Sequence, residues 1–257
     1  MTTLPQGTVT FAFTDIEGST ALLKQLGERY VDVLADHRRL VRESFTAHGG
    51  TEIDSQGDAF FFVFTRASNA VAGAVQAELA HAEHEWPEGS VVRVRIGLHT
   101  GEPTVSDSGY VGLDVVRAAR LCASCRGGQV LLSSSTRALL GSSLPEGVGI
   151  FPLGQRHLKD IDEPERVFEL DIEGAPTPAG DVTSARTEAP TPPTPPGTPG
   201  PLAPDFGARL AERIQEQVRR QIEEPLARML SEVDTLAERA STHPETITEK
   251  LDTDDAD

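Results

Sequence analysis

The chain has 257 residues and a formal net charge of −17, which argues against a general nucleic-acid binder because phosphate backbones require basic surfaces. No apolar run approaches the roughly 20 residues that span a bilayer. The amino terminus lacks a basic segment followed by an apolar signal core, so a cytoplasmic protein without a transmembrane segment is expected. The two cysteines, Cys122 and Cys125, form one CxxC pattern. Without a second pair of ligands, this pattern favours two reduced thiols on a helix over a zinc or redox site.

The composition divides the chain into one domain and a tail. Residues 1–172 mix strand-like and helix-like patterns and are long enough to bury one core. Residues 173–205 are rich in Pro, Thr and Gly and are predicted to form a disordered linker, because they bury too little apolar surface to offset chain entropy. An amphipathic helical segment is predicted over 206–241 and an acidic disordered C-terminus over 242–257. From Asp171 onward, 18 acidic residues face 8 basic ones, so this part carries −10 of the net charge.

Within the first domain, the apolar period switches repeatedly between two and about 3.6, which predicts strands alternating with helices in an α/β or α+β sandwich. Strands are predicted at 8–14, 50–54, 59–64, 91–99, 129–133, 149–153 and 166–171. Helices are predicted at 19–26, 28–48, 67–84, 111–125 and 134–140.

The first predicted strand ends in the segment FTDIEGST, which contains Asp15, Glu17 and Gly18. A strand that ends in glycine and small polar residues before a helix can present a carboxylate and free backbone N–H groups at one point. Such a point suits a metal ion and a phosphate. The alternative is that Ser19 or Thr20 caps the next helix and that Asp15 merely lies in a turn.

The segment EIDSQGDAFFFVF predicts a hairpin with Asp58 at its tip. If the hairpin lies beside the first strand, Asp15 and Asp58 become neighbours. Two facing carboxylates repel unless a cation lies between them, and their hard oxygens suit Mg²⁺ or Mn²⁺ carrying a polyphosphate. The alternative is an ordinary hairpin turn, in which Asp and Gly are common.

Together with GYVGLDVVRAARL, these segments resemble the catalytic domain of class III nucleotidyl cyclases, the adenylate and guanylate cyclase family. The resemblance runs from about Val9 to Leu170. It implies a ferredoxin-like α/β domain that works as a homodimer with active sites in the interface. The implied reaction is that of a phosphorus–oxygen lyase, which converts a nucleoside triphosphate to a 3′,5′-cyclic nucleotide and pyrophosphate for intracellular signalling. ATP is the first candidate for the substrate.

The resemblance also implies roles for individual residues. Asp15 and Asp58 match the aspartates that hold two Mg²⁺ or Mn²⁺ ions, and the Ile16 carbonyl completes one metal shell. Arg120 matches the arginine that stabilises charge on the α-phosphate, a task that suits a permanently charged guanidinium. The alternative for Arg120 is a solvated arginine on a helix surface.

The terminal phosphates are expected to meet backbone amides and one lysine. The amides implied for the β- and γ-phosphates are those of Glu17, Gly18 and Ser19. Lys159 matches a lysine that reaches the terminal phosphates from a late loop. Arg156 and His157 are near enough in sequence to do similar work, and a solvated loop lysine is the alternative.

Three positions depart from the family pattern where the nucleotide is recognised. Asp54 stands where the better-known adenylate cyclases have lysine, Gly109 where an aspartate or threonine accepts from the base, and Val116 where an asparagine orients the ribose. One hypothesis is a working cyclase whose base pocket uses Asp54, Gln56, backbone groups or water. The other is a degenerate domain that binds nucleotide, or only dimerises, as a regulatory module.

The predicted tail helix carries one apolar stripe that needs a partner to bury it. Its members are Leu210, Ile214, Val218, Ile222, Leu226, Leu230, Val233 and Leu236. Pro225 is expected to kink or break the helix. Self-association is the simplest way to bury the stripe, and the alternatives are the cyclase-like domain or another protein. A third hypothesis for the whole chain is therefore a dimerising scaffold for this tail.

His99 and Glu102, in GLHTGEP, follow a predicted strand and could be taken for a metal or acid–base pair. Without a third ligand at a suitable spacing, they are predicted to be structural.

Overall fold

A computed structural model of the chain describes residues 4–106, 109–141 and 144–175. In chain order the elements are β1 (Val9–Ile16), α1 (Ser19–Leu26), α2 (Tyr30–Ala47), β2 (Thr51–Gln56), β3 (Ala59–Phe64), α3 (Ala67–Glu83), β4 (Val94–Gly101), β5 (Thr104–Ser106), β6 (Gly109–Val111), α4 (Leu113–Ala123), β7 (Gln129–Ser133), α5 (Ser134–Leu140), β8 (Val148–Arg156) and β9 (Glu165–Ile172). Short 3₁₀ turns lie at Gly27–Arg29 and Pro87–Gly89.

The large sheet has the strand order β2-β3-β1-β4-β7-β9-β8. Strands β4 and β7 run parallel, and the other neighbouring pairs in this sheet run antiparallel. A parallel pair needs a long crossover, and α4 lies within the β4-to-β7 connection. The fold is therefore a mixed α/β fold with a mostly antiparallel sheet, which confirms the predicted fold class.

Helices cover both faces of this sheet. Residues of α2, α3 and α5 pack on one face in a core that includes Phe45, Phe60, Phe62 and Phe64. Helix α4 packs on the other face and approaches β4 closely, because a Cβ at Gly97 would lie 2.4 Å from the Cys122 nitrogen. The side chains of β3 alternate between the two faces, as strand geometry requires.

The structure differs from the predicted elements mainly around α4. The hairpin of β5 and β6 was not predicted, because strands of three residues are too short to show an alternating pattern. The helix predicted from residue 111 begins at Leu113, since Val111 pairs with Thr104 in that hairpin. Cys125 lies beyond the end of α4. Both cysteines are buried free thiols, and the Cys125 Sγ donates a hydrogen bond to the Ile96 carbonyl at 3.2 Å.

The predicted linker beyond residue 175, the amphipathic segment with its apolar stripe, and the acidic C-terminus lie outside the described residues. In the part of the chain that the structure covers, no helix is both long and apolar enough to cross a bilayer.

Candidate active site

The end of β1 lies beside the turn between β2 and β3. Thr14 of β1 pairs with Phe60 of β3, which brings the next residues of β1 next to Gly57 and Asp58. The Ile16 N–H donates to Asp58 Oδ2 at 2.9 Å. Asp15, Ile16 and Asp58 are therefore side by side, although 42 positions separate Ile16 from Asp58 in the sequence.

Asp15 forms a short two-point ion pair with Arg95. Nε and Nη2 of Arg95 donate to Oδ1 and Oδ2 of Asp15, each at 2.6 Å. The two residues are directly opposite each other on β1 and β4, and Asp15 is 5% exposed. A charge-assisted pair of this kind fixes the orientation of the carboxylate. Arg95 was missed by sequence reasoning, because only the register between β1 and β4 reveals that it faces Asp15.

The β2–β3 turn is held from behind by helix α2. His37 Nε2 lies 2.7 Å from the Asp58 carbonyl oxygen, and Arg38 Nε donates to the Gly57 carbonyl at 2.8 Å. Both contacts reach backbone atoms, which leaves the Asp58 carboxylate directed toward Ile16. Helix α2 thus determines where this carboxylate lies.

His37 continues into a buried chain of contacts toward α3. Its Nδ1 lies 2.9 Å from His81 Nε2, and His81 Nδ1 lies 2.7 Å from the Ala77 carbonyl oxygen. Burial lowers the pKa of His37 to about 4 and that of His81 to about 3, although the carbonyl contacts act in the opposite direction. Burial therefore disfavours the charged form of each ring.

Helix α1 begins directly after the aspartate. Gly18 is its N-cap residue, with φ of 65° and no side-chain cap, and the Gly18 carbonyl accepts hydrogen bonds from Ala21 and Leu22. This left-handed backbone favours glycine. The hypothesis that Ser19 or Thr20 caps the helix is therefore wrong. The first N–H groups of a helix have no intrahelical acceptor, and at this helix those of Gly18, Ser19 and Thr20 lie three to five residues after Asp15.

Tyr30 lies close to the same helix start and also escaped sequence reasoning. Burial raises the pKa of its hydroxyl, the Asp58 carboxylate raises it further, and a hydrogen bond with the Ser19 side chain acts in the opposite direction. Tyr30 therefore belongs to the same neighbourhood as Ser19 and Asp58.

Glu17 is engaged through both its backbone and its side chain. Its N–H donates to the Arg93 carbonyl at 2.9 Å, and its Oε1 accepts from the Gly127 N–H at 2.9 Å. A Cβ at residue 127 would lie 2.5 Å from Glu17 Oε2 and 2.7 Å from Arg93 Cβ, so this close approach favours glycine there. Of the three amides expected to cradle phosphate, that of Glu17 already has an acceptor, and a phosphate would have to replace it.

Arg120 is not the surface arginine that the alternative required. It is 3% exposed, and its Nη2 donates to Asp160 Oδ2 at 2.6 Å. Asp160 lies in the loop between β8 and β9. Lys159, the candidate for the terminal phosphates, is the adjacent residue and is exposed. Arg156 ends β8, and His157 follows it.

The three departures occupy different environments. Val116 lies on α4 and is 1% exposed, so its side chain is part of the buried core of the domain. Gly109 begins β6 with φ of 113°. Asp54 is half-buried at a bulge of β2, pairs in register with Phe61, and accepts the Ser55 N–H at 2.9 Å through Oδ1. Asp54 therefore brings an ionisable carboxylate to the edge strand of the sheet.

His99 and Glu102 belong to a network at the start of α4. His99 Nε2 lies 3.1 Å from Asp114 Oδ1, and the Glu102 N–H donates to Asp114 Oδ2 at 3.1 Å. The Ser135 hydroxyl lies 3.4 Å from His99 Nδ1 but donates to the Thr100 carbonyl at 2.7 Å. Although Ser, His and Asp lie in a row, the hydroxyl proton is directed away from the imidazole. This geometry agrees with a structural role for His99.

The donor set at Asp15 and Asp58 fits a hard dication that shares its shell with a substrate. Within the described ranges, no group of three or more His, Cys, Asp or Glu residues could hold a metal by itself. Two carboxylates and the Ile16 carbonyl are oxygen donors, and Mg²⁺ ordinarily takes one or two carboxylates together with phosphate oxygens and water. The Arg95 pair uses one lone pair on each oxygen of Asp15 and leaves others for a metal.

The fold and these motifs define a nucleotidyl cyclase domain. Residues 1–160 match the family described as adenylate and guanylate cyclase catalytic domain, and the chain belongs to this family. Among its relatives is an uncharacterized protein of Mycobacterium tuberculosis, 38% identical over 168 residues that cover 65% of this chain and 56% of the relative. A receptor-type adenylate cyclase of Trypanosoma equiperdum is 26% identical, with 67% of this chain and 46% of the relative covered. The chain thus matches about half the length of these relatives.

Solved structures of cyclases share the fold. An adenylate cyclase of Trypanosoma brucei, solved in its monomeric state, superposes with a TM-score of 0.60 at 26% identity, covering 68% of this chain and 95% of that one. The guanylyl cyclase Cya2 superposes with a TM-score of 0.55 at 25% identity, covering 68% of this chain and 98% of that one. The relatives and solved structures thus include proteins named adenylate cyclase and one named guanylyl cyclase.

Proposed function

We propose that this chain is a nucleotidyl cyclase that converts a nucleoside triphosphate to a 3′,5′-cyclic nucleotide and pyrophosphate. ATP is the first candidate for the substrate. The observation that carries the proposal is the hydrogen bond from Ile16 to Asp58 next to Asp15, at the start of α1. It brings together two carboxylates, a carbonyl and the positive end of a helix, which are the groups that a metal-bound triphosphate requires.

Each residue of the candidate active site has a defined task in this proposal. Asp15, Asp58 and the Ile16 carbonyl would hold two Mg²⁺ or Mn²⁺ ions, which when bound supply charge neutralisation and a lower pKa for the ribose 3′-hydroxyl. The N–H groups of Gly18 and Ser19 bind terminal phosphate oxygens. The 3′-oxygen forms a bond to the α-phosphorus as the bond from the α-phosphorus to the α,β-bridging oxygen breaks, the hydroxyl proton passes to water, and pyrophosphate leaves.

Arg120 and Lys159 supply the positive charge. As oxygen–phosphorus bonds form and break, negative charge develops on the α-phosphate, and a guanidinium stabilises it because it stays protonated and donates a fork of hydrogen bonds. Lys159 reaches the terminal phosphates. We assign these two residues and the two aspartates to different protomers of a homodimer, so that each active site is shared. A cytoplasmic location remains the expectation from the sequence.

The test is direct. The purified full chain is incubated with Mn²⁺ or Mg²⁺ and each of ATP, GTP, CTP and UTP, and the products are analysed by mass spectrometry for a cyclic monophosphate. Formation of one cyclic nucleotide supports the proposal and identifies the base. Absence of every cyclic product at high dimer concentration would contradict it.

A second candidate is a degenerate domain that binds nucleotide, or only dimerises, without turnover. The buried Val116 favours it, since a side chain in the core offers no hydrogen bond to a ribose. The same incubations separate the two candidates when they are combined with calorimetry. Metal-dependent binding of a triphosphate without any cyclic product would support the regulatory module.

The tail is proposed to raise the local concentration of the catalytic domains. If two tails pair through the apolar stripe, the domains become tethered, and dimerisation depends on effective concentration. A chain that ends after residue 175 should then lose activity on dilution sooner than the full chain and match it when concentrated. Higher activity of the shortened chain at every concentration would instead indicate that the tail inhibits the domain.

A further inference from the structure

The loop between β8 and β9 contains a tight turn whose tip is formed by Lys159 and Asp160. The Ile161 N–H donates to the Leu158 carbonyl at 3.2 Å, and the side chains of both end residues are buried. Asp160 has φ of 61° and is, among the described residues, the one non-glycine residue with a positive φ. A type II turn requires this sign of φ at its third position, where glycine or asparagine is favoured.

An aspartate at such a position needs a reason beyond the backbone, because glycine would adopt the conformation at lower cost. The reason is its side chain. Asp160 Oδ2 accepts a hydrogen bond of 2.6 Å from Arg120 Nη2, and the Arg120 side chain is 3% exposed. Arg120 Nε is also buried and has no hydrogen-bond partner among the described residues. The carboxylate is therefore the counter-ion of a nearly enclosed guanidinium.

This enclosure conflicts with the task that Arg120 has in the proposed reaction. A guanidinium binds a phosphate through the same N–H groups that bind a carboxylate, and both anions fit its planar fork. While Arg120 donates to Asp160, that N–H is not available to a phosphate. A substrate held by the aspartates of a second protomer can engage Arg120 fully only after the carboxylate has released it.

We propose that Asp160 is a positioning residue that holds Arg120 inside its own protomer until the phosphate of an arriving triphosphate replaces the carboxylate. This inference rests on the proposed cyclase function. Leu158 and Ile161, the two buried end residues of the turn, fix the place of the Asp160 carboxylate. The turn therefore controls whether Arg120 is available to a phosphate. The opposite role, in which Asp160 supports Arg120 during the reaction, predicts the opposite effect of its removal.

The test compares Asp160→Asn with Asp162→Asn in the full chain. Asn tolerates a positive φ and nearly keeps the shape of the side chain, while the charge is removed. Asp162 is exposed in the same loop and is not the residue that pairs with Arg120, so its substitution makes the same change in charge without removing that contact. We expect Asp160→Asn to raise kcat/KM about tenfold, the size of effect that one charge-assisted hydrogen bond has on an equilibrium. Asp162→Asn is expected to leave it unchanged.

A variant of a different kind guards against misfolding. Asp160→Gly satisfies the positive φ and lacks the carboxylate, so the same gain in kcat/KM is expected. A loss of kcat/KM in both Asp160 variants, with melting temperatures equal to that of the unmodified chain, would overturn the inference in favour of a supporting role. An unchanged kcat/KM in both would also overturn it.

A second readout does not depend on turnover. Phenylglyoxal modifies accessible arginines, and peptide mass spectrometry measures the rate at Arg120 in the nucleotide-free protein. Faster modification in Asp160→Asn than in Asp162→Asn is expected, and equal rates would refute the hold on Arg120. If modification is faster but no variant cyclises any triphosphate, the proposed function fails while the hold on Arg120 stands. If the unmodified chain is active and modification rates are equal, only the present inference fails.

Discussion

Replacing Asp15 should separate two roles that its carboxylate combines. The carboxylate is the candidate metal ligand, and it also accepts two hydrogen bonds from Arg95. The side chains of Arg95 and Asp15 are 15% and 7% exposed, so the pair is largely removed from water. Asp15→Ala would leave a buried guanidinium without this carboxylate. Breaking a buried ion pair in this way costs about 3 to 5 kcal/mol.

This magnitude makes a measurable difference in stability. For a chain of this size, the loss corresponds to a melting temperature lower by about 10 °C. Asp15→Asn keeps one acceptor oxygen and the shape of the side chain, and a smaller loss is expected. The double variant Asp15→Ala with Arg95→Met removes both charges, so most of the stability should return, because neither charge is then buried alone.

Thermal unfolding followed by circular dichroism measures these differences, and the cyclase assay is run on the same preparations. All three variants should lack metal-dependent cyclisation, since each lacks the Asp15 carboxylate. If Asp15→Ala has the same melting temperature as the unmodified chain, the stabilising role of the Arg95 pair is refuted. If Asp15→Asn retains near-full activity, the metal assignment has to be abandoned.

Three further outcomes are expected. Mixing inactive Arg120→Ala with inactive Asp15→Asn should restore part of the activity, because a heterodimer can contain one intact site; no recovery despite confirmed subunit exchange would argue against a shared site. Gly127→Ala should lower the melting temperature, since its Cβ would lie 2.7 Å from the Cβ of Arg93 and 2.9 Å from that of Glu17, and an unchanged melting temperature would contradict this. The free energy of unfolding should fall as the pH drops from about 6.5 to 4, because the unfolded chain protonates His37 while the fold lowers the pKa of this group to about 4. The full effect of His37 on the free energy of unfolding is on the order of 3 kcal/mol. Urea titrations at several pH values measure this free energy, which should change less with pH in His37→Gln than in the unmodified chain.

The sequence by itself determined the elements with strong local patterns. The apolar run of β3 and the amphipathic stretch of α1 begin and end where the pattern predicts, at 59–64 and 19–26. Local signals suffice there because a strand of six residues or a helix with a glycine cap shows its periodicity and its ends within one window. The motif FTDIEGST likewise pointed to a carboxylate at the end of a strand and the start of a helix. The resemblance of three segments to one family extended this to a site.

The tertiary structure decided which charges face one another. Arg95 lies 80 positions from Asp15, and Asp160 lies 40 positions from Arg120. No local period carries such pairings, because they depend on strand register and on the path of a loop. The same holds for His37, whose contact with Asp58 exists only because α2 packs behind the β2–β3 turn. A sequence pattern indicates which residues can do chemistry, whereas the fold decides which anion or cation each one meets.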